Sequence, residues 1–346
     1  MKAIGMLLIL IGHIIGDPKN IYNLLAQPTF TKQIGVAFFV FITGWGLANE
    51  TRDSLKVVFN RLFPFYFYGV AFAVIVSLTF LVTKHDINPS NYLPFFLGVN
   101  VLFNNFPANP TTWYIGTYIH MLLFWYFFFA GKTVTPRHIV IAFLIENLIR
   151  SLILYWGRDF TGYMILPNWI SVFLLGMYLH DRKQTDAKLT GFVYILALGV
   201  VVTVWTLIAN TMGFDGTFPF RNLPYDQIWR FPVESLLTSV TYIIYTLLFF
   251  AAARRLPGNR IIVFFAEATL ITVILHMPII YETHKFFYSF FADPMTARIV
   301  YIFVIYIGLA VIARILNRMI NLKMLRDRAW YIFETYLRKY VPIRTR

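Results

Sequence analysis

The chain contains no cysteine, which removes disulfides, thiolate metal sites and cysteine nucleophiles and leaves the redox compartment open. Charge is also scarce. Only 13% of the 346 residues are Asp, Glu, Lys or Arg, whereas soluble domains carry about 25%. Length alone would allow two soluble domains, but the apolar runs are spread evenly from end to end, as in one membrane domain. Acids are the scarcer charge, with 16 Asp and Glu against 30 Lys and Arg and a net charge of +14. That excess does not call for nucleic acid, because the cations gather in alternate loops and in the tail, as on an anionic membrane. No Walker-type or GxGxxG phosphate loop is present. None of the seven histidines lies three or four residues from another, so no metal site is expected.

What is abundant is apolar and aromatic surface, at 58% and 19% of the chain. Ten apolar segments stand out, at 3–16, 34–48, 65–83, 113–130, 138–156, 166–180, 190–209, 234–253, 261–281 and 297–316. They predict an all-α polytopic membrane protein of about ten transmembrane helices. Several fall short of about 20 residues and must borrow from their loops or thin the bilayer. The stretch 92–103 is apolar but too short to span, and reads as re-entrant or surface-lying. Most Lys and Arg fall at the N-terminus, near 49–64, 131–137, 181–189 and 254–260, and beyond 314, which puts both termini in the cytoplasm. Residues 1–316 then form the membrane domain. Residues 317–346, basic and interleaved with Trp330, Tyr331, Phe333, Tyr336 and Tyr340, form an amphipathic cytoplasmic tail attracted to membrane lipid. No cleavable signal peptide is evident, and the nearness of the first run to Met1 leaves open a native start upstream.

In the first segment Lys2 and His13 are eleven helical steps apart, three turns plus about 20°, which places them on one face about 16 Å apart along the axis. An intramembrane imidazole is costly and is a functional candidate by default. Asp17 follows His13 by four residues; on a helix reaching that far it would fix the imidazole tautomer and raise its basicity, as a general base requires. The competing view makes Lys2 an interface anchor and His13 a buried hydrogen-bonding group. Gly12-x3-Gly16 would allow another helix to approach closely.

Other constellations carry similar alternatives. Arg52, Lys56 and Arg61 at the inner mouth suit a polyphosphate, or are ordinary positive-inside charge. On the outer side, Asn104-Asn105 through Trp113-Tyr114 offers the amides and aromatic faces that hold a sugar ring, or is a Pro/Asn turn followed by an interfacial aromatic belt. A second outer loop, 210–233, adds further polar and aromatic residues. Glu146 and Arg150, four apart, read as an internal ion pair of structural character. Glu267 and His276 lie inside the ninth run, where His276-Met277-Pro278 is expected to break the helix, so that His276, Glu282 and His284 would line a cavity or simply flank a kink.

Taken together, the chain resembles the acyltransferase-3 family of membrane-bound O-acyltransferases that modify cell-surface glycans. The resemblance rests on the basic-x10-His motif from Lys2 to His13, on Phe38-Phe39-Val40-Phe41-Ile42-Thr43-Gly44-Trp45, and on Arg61-Leu62-Phe63-Pro64-Phe65. It rests further on Thr112-Trp113-Tyr114-Ile115, on Phe173-Leu174-Leu175-Gly176-Met177-Tyr178, and on His276-Met277-Pro278. It departs from the family in having Lys2 where Arg is frequent, which loses a bidentate contact, and in lacking the soluble hydrolase-like domain fused to some members. The resemblance implies transfer of an acyl group, expected to be acetyl, from cytoplasmic acetyl-CoA to a hydroxyl of a surface polysaccharide or lipid-linked glycan. It also implies a bacterial cytoplasmic membrane location, with a separate envelope partner or a homo-oligomer as open expectations. His13 would be general base or acyl carrier, Asp17 its orienter, and Lys2, Lys56 and Arg61 the holders of the donor. Trp113 and Tyr114 would serve the acceptor pocket, with Glu267 and His276 in either pocket. The rival reading is a lipid-linked sugar flippase or glycan exporter, although the internal symmetry common in transporters is absent.

Overall fold

The computed structural model describes residues 1–15, 28–50, 54–83, 89–107, 112–181, 227–254 and 258–340, with positions 193, 196–197, 199–201 and 203–204. Among these residues every regular element is helical, as a bilayer demands of a chain that must satisfy its own backbone polar groups. In order they are α1 (Lys2–Ile14), α2 (Pro28–Leu47), α3 (Ser54–Thr83), α4 (Tyr92–Phe96), α5 (Asn100–Phe103), α6 (Trp113–Phe124) and α7 (Pro136–Tyr155). Then follow α8 (Asp159–Met164), α9 (Ile170–Asp181), α10 (Arg230–Ala253), α11 (Arg260–Tyr288), α12 (Pro294–Met319) and α13 (Leu322–Tyr340).

Five of these helices, α3, α7, α10, α11 and α12, are long and apolar enough to cross a membrane. α1, α2 and α9 are shorter apolar helices, and α6 is lengthened by a π-helical turn, Trp125–Phe129. The chain is an all-α polytopic membrane protein. Most of the expected seventh span, 190–209, lies outside the described residues. The 92–103 stretch folds as the two short helices α4 and α5, separated by a turn at Gly98 (φ 72°) and closed by Asn104 (φ 55°), so it does not span.

Helix starts follow local chemistry. Asp293 accepts from the Thr296 backbone N–H at 2.7 Å to cap α12, with Pro294 at its first position. Asn259 accepts from Ile261 N–H at 2.8 Å to cap α11. The expected break at Pro278 does not occur. α11 runs from Arg260 through Tyr288, since one proline removes one hydrogen bond and packing on its neighbours holds the rest.

α1 lies at the centre, packed on α2, α11 and α12, while α2 packs on α9 and α9 on α7 and α10. Both ends of α1 are tied to α12. The Tyr306 hydroxyl donates to the Ala3 carbonyl at 2.7 Å, and Arg298 Nη1 donates to the Ile15 carbonyl at 3.3 Å. Helix approach is set by glycine. A Cβ on Gly44 would overlap the Phe173 carbonyl of α9, and one on Gly176 would overlap the Phe41 carbonyl of α2, so these two backbones meet directly. Gly5 and Gly35 make the same contact between α1 and α2.

Between α7, α9 and α10 lies the expected ion pair. Glu146 and Arg150 are 1% and 0% exposed and 3.5 Å apart. Arg150 Nη1 donates to the Ser235 carbonyl at 2.7 Å and to Ser239 Oγ at 2.8 Å, and Nη2 to the Asn168 carbonyl at 3.0 Å. Glu146 accepts from the Ser171 backbone N–H at 2.9 Å and from Ser239 Oγ at 2.5 Å. A buried pair needs this many partners to offset its desolvation.

Candidate active site

Where the end of α1 meets the start of α2, a cavity of about 490 Å³ opens, walled also by α6, α8 and α11. α1 contributes His13, α2 contributes Lys32 and Gln33, α6 contributes Trp113 and Tyr114, α8 contributes Tyr163, and α11 contributes His276. Four of the residues singled out by sequence, His13, Trp113, Tyr114 and His276, therefore share one space.

The two imidazoles are neighbours, with ring centroids 5.1 Å apart and planes at 54°. His276 is 2% exposed. Its Nδ1 lies 2.8 Å from the Val273 carbonyl and 3.1 Å from the Thr272 carbonyl. Carbonyl oxygens only accept, so Nδ1 carries the proton and Nε2 the lone pair. That Nε2 is buried and has no hydrogen-bond partner among the described residues. His13 is half-buried, on the side of α1 that faces the cavity. A neutral imidazole with an open lone pair beside a second imidazole is a competent proton acceptor, and the second ring can share the resulting charge.

The walls are aromatic. The Trp113 ring lies 5.0 Å from that of Tyr163 and 5.7 Å from that of Tyr114. Phe39, Phe106 and Phe160 add further aromatic faces, aliphatic side chains such as Ile9 and Val36 fill between them, and Asn104 adds an amide. Flat faces with amides and hydroxyls between them bind a ring that is apolar on its faces and polar at its rim.

The inner-end candidates lie elsewhere. Arg61 of α3 donates to the Gly46 carbonyl at 2.6 Å and pairs with Glu50 at 3.1 Å, both groups remaining partly exposed. Lys2 and Arg61 are close enough to repel, and Arg61 also lies near Tyr118. One helical turn away on α6, Tyr114 borders the His13 cavity. Tyr118 and Tyr114, their rings 6.2 Å apart, therefore lie in succession between Arg61 and the His13 cavity. Lys56 is further away, its ammonium 5.8 Å from the Trp330 ring of α13. Glu267 is exposed and borders a separate hollow of about 200 Å³ with Arg314 and Arg318 between α11 and α12, not the His13 cavity. Asp17 lies outside the described residues. No group of three His, Asp or Glu that could hold a metal occurs among the described residues.

Lys32, Gln33 and Tyr163 line the cavity without having been singled out by sequence. Lys32 and Gln33 immediately precede the apolar run at 34–48, where they read as the polar edge of a span. Their inward direction follows only from the packing of α2 against α1. Tyr163 sits on a six-residue helix that carries no periodicity long enough to read.

A family description, "Acyltransferase domain", matches residues 1–317. No curated protein matches the chain, and no solved structure does.

Proposed function

The chain belongs to the acyltransferase-3 family, and from that premise we propose that this membrane acyltransferase moves an acyl group, acetyl in the simplest case, from cytoplasmic acyl-CoA to a sugar hydroxyl of a surface polysaccharide or its lipid-linked precursor. The observation that carries the proposal is the pairing of His13 with His276 in a cavity walled by Trp113, Tyr114 and Tyr163. On the orientation given by loop charge, that cavity opens at the outer end of the bundle. Lys2 and Arg61, at the opposite end, suit the phosphates of the donor, and the pantetheine arm would run past Tyr118 and Tyr114.

The hydroxyl oxygen attacks the thioester carbonyl carbon while His13 takes the hydroxyl proton. The carbon–sulfur bond then breaks, and the leaving thiolate recovers that proton from the imidazolium. His276, with its lone pair on Nε2, steadies the charge on His13 during the step. A positioned base contributes about 10²–10⁴-fold to such a reaction. The bacterial cytoplasmic membrane is the compartment that supplies acyl-CoA on one side and surface glycan on the other.

Purified protein in vesicles with labelled acetyl-CoA and extracted surface glycan tests the proposal. The wild type is expected to release coenzyme A and label the glycan, and His13→Ala is expected to lose about 10²–10⁴-fold of that rate. Transfer that survives His13→Ala would overturn the assignment. Movement of unmodified lipid-linked sugar without acylation would favour a flippase. Label retained on His13 after acid quench would mark it as an acyl carrier rather than a base.

A further inference from the structure

We propose that Gln33 is the hydrogen-bond donor that receives the developing oxyanion of the acyl group, and that Tyr242 aims it. The proposal rests on the acyl-transfer reading above and adds a residue to it. Gln33 is 1% exposed and lines the cavity that holds His13 and His276. Its Oε1 accepts from the Tyr242 hydroxyl. Its Nε2 is buried with no hydrogen-bond partner among the described residues. A buried amide with both N–H donors idle is unfavourable unless something else in the site uses them.

The direction of the amide follows from its surroundings. The one proton on the Tyr242 oxygen is directed at Gln33 Oε1. Gln33 must then turn its oxygen to Tyr242 and its nitrogen away. Each member of this chain is held in turn. The Tyr242 ring stacks on Trp169 at 4.9 Å and 16°, Asn168 Nδ2 donates to the Tyr163 carbonyl at 2.9 Å, and the Asn168 carbonyl accepts from Arg150 at 3.0 Å. The buried Glu146–Arg150 pair thus anchors the segment whose Trp169 backs Tyr242, and Tyr242 in turn holds the Gln33 amide. Fixed donors in a dry site stabilise a charge that develops there without reorganising as it forms.

In the step, the hydroxyl oxygen bonds to the carbonyl carbon and the carbonyl π pair moves onto its oxygen. That oxygen accepts from Gln33 Nε2–H. When the pair returns, the carbon–sulfur bond breaks and the thiolate takes the proton held by His13. Gln33 transfers no proton.

The experiment measures kcat and KM for acyl-CoA with the full-length protein in vesicles, using wild type, His13→Ala, Gln33→Met and Tyr242→Phe, with thermal unfolding as a check on folding. A wild type without transfer refutes the acyl-transfer reading itself, and a fully active His13→Ala refutes the His13 site on which that reading rests. With transfer present and His13-dependent, Gln33→Met is expected to lower kcat by about 10²–10³-fold, the loss typical of one oxyanion donor, and to leave KM within about threefold. A kcat within about threefold of wild type, or a raised KM with kcat unchanged, overturns the Gln33 assignment while leaving His13 in place. If Gln33→Met does not fold, Tyr242→Phe decides: it keeps the amide but frees its orientation. It is expected to lower kcat by about tenfold, and an unchanged kcat overturns the proposal.

Discussion

Inside a bilayer, a charged or polar side chain survives only where the protein replaces its lost water. Glu146 and Arg150 meet that condition, with serine hydroxyls and a carbonyl of α10, the Asn168 carbonyl and a backbone N–H of α9 around them. Glu146→Gln keeps the shape but leaves the guanidinium without a counter-charge, so it is expected to destabilise the protein by about 3–5 kcal/mol. The double variant Glu146→Gln/Arg150→Met should recover part of that loss, and thermal unfolding of the four members of the cycle measures the coupling. The same condition makes the cavity notable. His276 Nε2 and Gln33 Nε2 are buried polar atoms without partners among the described residues. His13 was legible because an imidazole in an apolar run is conspicuous. Gln33 was not, since a glutamine ahead of an apolar run looks like an ordinary membrane edge.

Helices in lipid gain nothing from excluding water between them, so close packing must supply the association. α2 achieves it with glycine on two sides, Gly35 against Gly5 and Gly44 against the α9 backbone. Gly44 lies in the 38–45 motif, and Gly176, which meets the α2 backbone, lies in another of the segments on which the family resemblance rests. Gly44→Val would drive a side chain into the Phe173 carbonyl and separate α2 from α9, which is expected to cost at least about 1–3 kcal/mol and to lower the unfolding midpoint in detergent. A shift of α2 also moves Lys32 and Gln33, so acyl transfer should fall with stability. α11 carries the opposite lesson. His276-Met277-Pro278 suggested a break, yet the helix continues and brings His276 to His13 from an unbroken element. Local proline chemistry was outweighed by packing along the full length of α11.

For the molecule as a whole, loop charge predicts that both termini face the cytoplasm. Because the chain contains no cysteine, single cysteines report without background. Lys132→Cys and Lys323→Cys should react with an impermeant maleimide only in inverted vesicles or permeabilised cells, and Lys285→Cys should react in intact cells. The reverse pattern would turn the His13 cavity inward and remove the acceptor side from the outer face. Seen along the bundle, Lys2 with Arg61 and the aromatic cavity lie at opposite ends of α1, with Tyr118 and Tyr114 between them. A donor and an acceptor from different compartments would need such a separation.

Scarce charge and even apolar runs determined the membrane class and the helical architecture, and a histidine set three turns from a lysine supplied the first candidate residue. These are local quantities: hydropathy depends on which atoms a segment holds, and helical phase depends only on spacing. Which side chains meet depended on tertiary structure. His13 and His276 are more than 260 positions apart in sequence and 5.1 Å apart in space, while Glu267, only nine positions before His276, faces another hollow. Glycine contacts set how close and how rotated the helices lie, and that rotation turned Gln33 inward. Such a rotation is a property of paired surfaces, which no single segment carries.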